Sequence, residues 1–95
     1  CHEADYVEGS ASNNVQIAGH SYTPHCLKIK KGAIVKIPAS STHPLSTPVK
    51  EGQTPQVTES AFQKTFSESG VYSFFCRNHG HADGSGMAGV IWVTE

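Results

Sequence analysis

One short stretch holds most of the chemistry in this chain. Cys76-Arg77-Asn78-His79-Gly80-His81-Ala82-Asp83-Gly84-Ser85-Gly86-Met87 places a thiol, two imidazoles and a thioether within twelve residues. A further imidazole, His43, lies 33 positions before Cys76, in Thr42-His43-Pro44. Thiolate, imidazole and thioether together suit copper, because soft sulfur holds Cu(I) and imidazole accepts both oxidation states. Two His and one Cys in a trigonal set, with a long axial Met, is the electron-transfer copper arrangement. The Met discriminates, since zinc and iron–sulfur sites rarely use one. A zinc site from His43, Cys76, His79 and His81 would leave Met87 without a role. A merely structural strand end with a polar loop would not explain why these donor types gather.

A second pattern is a decoy. Gly84-Ser85-Gly86-Met87-Ala88-Gly89 matches the dinucleotide-binding G-x-G-x-x-G. That motif must follow a strand and open a helix within a βαβ unit. Here the six residues after it read as a strand.

The elements that must position these residues are short strands. Val15 and Ile17 alternate with polar neighbours, as do Leu27 and Ile29. Ala33, Val35 and Ile37 share one face. Phe62 and Phe66 flank Gln63 to Thr65. Val71 to Cys76 is rich in aromatic residues, and Val90 to Val93 is an unbroken apolar run. These are strand periods and compositions. Lys31-Gly32 and Ser69-Gly70 predict tight turns. Pro38 to Pro55 reads as a crossing between sheets that holds a short edge strand or an irregular turn. No segment sustains helical spacing for three turns. The expected fold is all-β, an antiparallel Greek-key β-sandwich of six or seven strands. On this reading the cysteine closes a strand, and His79, His81 and Met87 follow in a Gly-rich loop. His43 approaches from another strand end.

Length and composition bound the rest. The chain has 95 residues, which suits one domain spanning 1–95 and leaves no room for a second core. No apolar run approaches the ~18–20 residues of a membrane span. The formal charge is −1, with no dense Lys/Arg cluster, so nucleic acid is not an expected partner. The only Met is Met87 and residue 1 is Cys, which fits removal of an export signal and a periplasmic or otherwise exported location.

The chain resembles the cupredoxins, the small blue-copper family that includes plastocyanin, azurin and pseudoazurin. The likeness runs through Tyr22-Thr23-Pro24, Leu27-Lys28-Ile29, Thr42-His43-Pro44-Leu45, Tyr72-Ser73-Phe74-Phe75-Cys76 and Gly86-Met87-Ala88-Gly89-Val90. The resemblance implies His43, Cys76 and one downstream His as strong copper ligands, with Met87 axial. His79 is the preferred downstream ligand, because Cys-x₂-His-Gly is the commoner family pattern. His81 fits the longer Cys-x₄-His spacing. Seven residues separate His79 from Met87, more than in plastocyanin-like members, which leaves blue and green sites both open. Pro44 stands where many cupredoxins carry an Asn that braces the two ligand segments. The hydroxyls of Ser41 and Thr42 are candidates to replace that hydrogen bond.

The resemblance also implies a function. A type 1 copper cycling between Cu(I) and Cu(II) makes the chain a one-electron carrier rather than an enzyme. It would act as a monomer and dock transiently on a redox protein, through an apolar ring of Pro44, Leu45, Met87 and Ala88 around the downstream His. The alternative is a periplasmic copper-tolerance protein that binds or oxidises excess copper. His2, His20, His25 and the unused one of His79 and His81 are each expected as solvated surface residues. Together they could form a second, weaker copper site. With Cys76 a thiolate, Cys1 and Cys26 remain, and a disulfide between them is expected in an oxidising compartment. A lipid-modified Cys1 is the exclusive alternative.

Overall fold

The computed structural model describes residues 1–81 and 83–95. After a single 3₁₀ turn, Glu3–Asp5, it is built of strands. These are β1 (Val7–Glu8), β2 (Ser12–Asn14), β3 (Gln16–Ala18), β4 (Ser21–Thr23), β5 (Cys26–Lys30) and β6 (Ile34–Ile37). They continue as β7 (Leu45–Val49), β8 (Val57–Thr58), β9 (Phe62–Thr65), β10 (Gly70–Gly80) and β11 (Gly86–Thr94). One sheet has the order β1-β5-β11-β10-β7-β8. A second has β2-β6-β9, and β3 pairs with β4 as a hairpin. Among the described residues no helix is long and apolar enough to cross a membrane.

The all-β sandwich matches expectation, but its sheets are mixed. β1 with β5, β5 with β11, and β2 with β6 run parallel. Parallel neighbours are joined by long crossovers and leave no local turn signal. The crossing between Pro38 and Pro55 contains β7, which lies between β10 and β8 rather than at an edge. Its Pro48 falls where the register slips, since Ser73 pairs with Val49 but Phe75 with Ser46. Proline is tolerated inside a sheet at such a bulge, where no ladder donor is needed.

Alternation on the two long central strands makes the core. Tyr72, Phe74 and Cys76 of β10 point inward, as do Met87, Ile91 and Val93 of β11. Val35, Ile37 and Phe66 meet them within the same hydrophobic cluster. Tyr22 packs edge-on against Phe74 with ring centroids 4.9 Å apart. Among the described residues its buried hydroxyl has no hydrogen-bond partner. Burial first, and the nearby Cys76 second, push that phenol well above its ordinary pKa. An unpaired buried hydroxyl costs free energy that a phenyl ring does not. Tyr22→Phe is therefore expected to leave stability unchanged or raise it by about 1 kcal/mol. A denaturant midpoint showing a loss of that size would overturn the assignment.

Candidate metal centre

The regular ladder between β10 and β11 ends where the chemistry begins. Phe74 pairs with Gly89 and Phe75 with Ala88, the last regular pair before Cys76 and Met87. There the register shifts, and pairing resumes only at Gly80 with Gly86. Cys76 and Met87 are both fully buried and both point inward.

On the other side of β10, Cys76 pairs with Leu45, the first residue of β7. The Arg77 amide donates to the Pro44 carbonyl at 2.8 Å, extending the same register. His43 thereby arrives beside the cysteine. Its Nδ1 lies 3.7 Å from Cys76 Sγ, and His79 Nδ1 also lies 3.7 Å from it. His43 and His79 are partly exposed while Cys76 is buried.

These separations can be tested against a metal. Bonds of about 2.0–2.1 Å to nitrogen and 2.3 Å to sulfur, opened to about 120°, put N and S about 3.7–3.8 Å apart. A tetrahedral angle would bring them to about 3.5–3.6 Å. The observed spacing suits three donors shared in a trigonal set. The donors fit a soft or borderline ion such as copper.

The segment expected as one Gly-rich loop is mostly strand. β10 runs on to Gly80 and β11 already begins at Gly86, which leaves only 81–85 between them. Two glycines allow this close approach. A Cβ on Gly80 would collide with the Met87 carbonyl, and one on Gly86, at φ +72°, with the His79 carbonyl. His81 lies in the connecting turn, where its amide donates to the Ser85 carbonyl at 3.0 Å. It is outside the group formed by His43, Cys76 and His79.

Sequence reasoning missed three contributors. Asn78 Nδ2 donates to the Thr42 carbonyl at 3.0 Å and ties β10 to the His43 turn. Ser40 Oγ accepts from the His43 amide at 3.1 Å. Among the described residues, the brace absent at Pro44 is supplied from Asn78 and Ser40 rather than from the Ser41 and Thr42 hydroxyls. A polar residue on an otherwise alternating strand was the one available signal. Asn78→Ala is expected to lower thermal stability by about 0.5–1 kcal/mol. An unchanged melting temperature would show the brace to be dispensable.

The third contributor is His20, which is exposed as expected. It stacks on His79 with centroids 3.9 Å apart and planes at 16°, and sits edge-on to His43 at 5.9 Å. Burial, followed by the His20 and His43 imidazoles, holds His79 below the usual imidazole pKa. That favours the neutral imidazole, the form that binds a metal. The expected apolar ring also needs correction. Strand alternation turns Leu45 and Met87 into the core, where both are fully buried, and Pro44, just before β7, is buried as well. Cys1 and Cys26 form a disulfide with Cα atoms 6.0 Å apart, and Cys76 is the free cysteine.

No protein-family model and no curated protein matches the chain. Solved structures do. A copper-containing nitrite reductase from Thermus scotoductus is 21% identical over 97% of this chain, with a TM-score of 0.70. The chain spans only 28% of that enzyme's length. A Sinorhizobium pseudoazurin is 24% identical over 94% of this chain and 76% of its own, with a TM-score of 0.64. Amicyanin from Paracoccus versutus is 24% identical over 86% and 80%, with a TM-score of 0.58. A mixed β-sandwich with a buried cysteine between two imidazoles at one end, superposing on pseudoazurin and amicyanin over most of their lengths, has the cupredoxin fold.

Proposed function

We propose that His43, Cys76 and His79 hold one copper ion, that Met87 is its axial donor, and that the chain is a one-electron carrier. The observation that carries this reading is the pair of 3.7 Å sulfur–nitrogen separations, the spacing of a trigonal donor set. Bound copper would supply the Cu(I)/Cu(II) couple. The protein's part is to hold the donors still. Cys76 and Met87 sit on paired central strands, and Asn78 and Ser40 fix the His43 turn. Donors held in place rearrange little when charge changes. The partly exposed His43 and His79 give a redox protein a short approach, and such encounters need only small interfaces. With a net charge of −1, docking is expected to depend weakly on salt. The chain acts as a single-domain monomer. Its Cys1–Cys26 disulfide fits an exported, oxidising location.

Copper tolerance is the second reading. It is favoured by one observation, that His2, His25 and His81 line a single hollow. Titration of the metal-free protein with Cu(II) separates the two. One tight equivalent with an intense thiolate-to-copper visible band is expected for a carrier. A further equivalent held by those histidines would favour copper tolerance. Absence of the band would sink the type 1 copper reading.

A further inference from the structure

Cys1, His25 and Cys26 bring their Sγ and ring-nitrogen atoms within 4.8 Å of one another. They lie at the start of β5, which runs parallel to β11 with Cys26 beside Val90. The Val90 amide donates to the His25 carbonyl at 2.7 Å, so the backbone carrying this cluster is anchored to β11. The cluster faces a surface hollow of about 360 Å³ shared with His81 and Asp83 of the connecting turn. While the two sulfurs are bonded to each other, neither carries the charge that binds a metal. Cys1 is exposed and Cys26 is buried, so a reductant has access to one sulfur and the fold keeps the other in place.

We propose that reduction of the Cys1–Cys26 disulfide opens a second metal site, a Cu(I) site formed by Cys1, Cys26 and His25. Two thiolates and one imidazole are soft donors of the kind that select Cu(I). The reductant is a dithiol. One of its thiolates attacks Cys1 Sγ, the S–S bond breaks, and Cys26 leaves as thiolate. The second thiol of the reductant then displaces Cys1, so the reductant ends as a disulfide and the protein has gained two electrons. Cu(I) binding releases the two thiol protons and leaves the copper oxidation state unchanged. The site is separate from His43, Cys76 and His79, and it does not depend on how that group is read.

The test is an anaerobic titration of the full chain with Cu(I) against a chromogenic Cu(I) chelator, before and after treatment with a dithiol that is then removed. Bound Cu(I) is expected to rise by one equivalent on reduction. His25→Ala should weaken the added equivalent at least about tenfold. Cys1→Ser with Cys26→Ser should abolish it. If the first site binds as proposed, the count moves from one to two. If that reading fails, the count moves from none to one. No rise in a chain whose circular dichroism stays folded would overturn the proposal, as would a rise that survives in the double serine variant. Unfolding on reduction that Cu(I) fails to reverse would overturn it equally, because the site needs β5 in place.

Discussion

Replacing Cys76 with serine is expected to abolish the visible charge-transfer band and to weaken copper binding at least about 100-fold, the upper range for groups that only support a ligand. The thiolate supplies both the charge and the soft donor of the trigonal set, and the serine hydroxyl supplies neither at neutral pH. The fold should persist, since Tyr72 and Phe74 keep β10 packed on the core without the sulfur. Stability of the metal-free chain should still fall by about 1–3 kcal/mol, the cost of a buried hydroxyl left without a partner. The two imidazoles stand 3.7 Å from the sulfur, too far to hydrogen-bond a shorter C–O group. His79→Ala should reproduce the loss of the band, and His81→Ala should leave it intact. A band that survives in the serine variant, or one lost with His81 and kept without His79, would remove this donor set from consideration.

How much of this site was legible follows from which interactions are local. Alternation along Tyr72, Phe74 and Cys76 turns the thiol inward and can be read from the sequence alone. The same alternation on β11 buries Met87, yet the sequence reading left Met87 in a loop, because Gly84 to Gly86 look like turn residues. Gly86 instead starts a strand against Gly80, a close approach visible only once both backbones are placed. β7 was obscured by Pro48, whose missing donor matters little at a register slip. His20 stacking on His79 joins residues 59 positions apart, and no period or motif reports such a pairing. The Asn78 bond to the Thr42 carbonyl is hidden for the same reason. The expected docking ring of Leu45 and Met87 failed through the alternation that positions the cysteine. Leu45 and Met87 turn into the core, whereas the His43 and His79 imidazoles stay partly exposed.

Removing the Cys1–Cys26 disulfide, by Cys1→Ser with Cys26→Ser, is expected to cost about 3.5 kcal/mol of stability. The bond closes a loop with a sequence separation of 25, and the chain-entropy relation gives that value at 25 °C. For a chain of 95 residues this corresponds to a fall in melting temperature of about 15–20 °C. The other ties of the N-terminal segment are few, among them the Gly9 amide donating to the Lys28 carbonyl at 2.8 Å. β1 is two residues long and pairs only with β5, and its Val7 is half exposed. Tyr6 against the Trp92 ring, with centroids 5.3 Å apart, is its main aromatic contact. The proposed copper-binding end does not share this dependence. Cys76 is placed by pairing with Leu45 of β7, Met87 by the β11 strand whose Ala88 pairs with Phe75, and His43 by the Arg77 amide bond to the neighbouring Pro44 carbonyl. The double serine variant should therefore melt earlier yet keep the visible band at 25 °C at full strength per bound copper. Parallel loss of the band and of stability would show that the N-terminal staple positions the metal donors. An unchanged melting temperature would show that the bond leaves the unfolded chain as free as before.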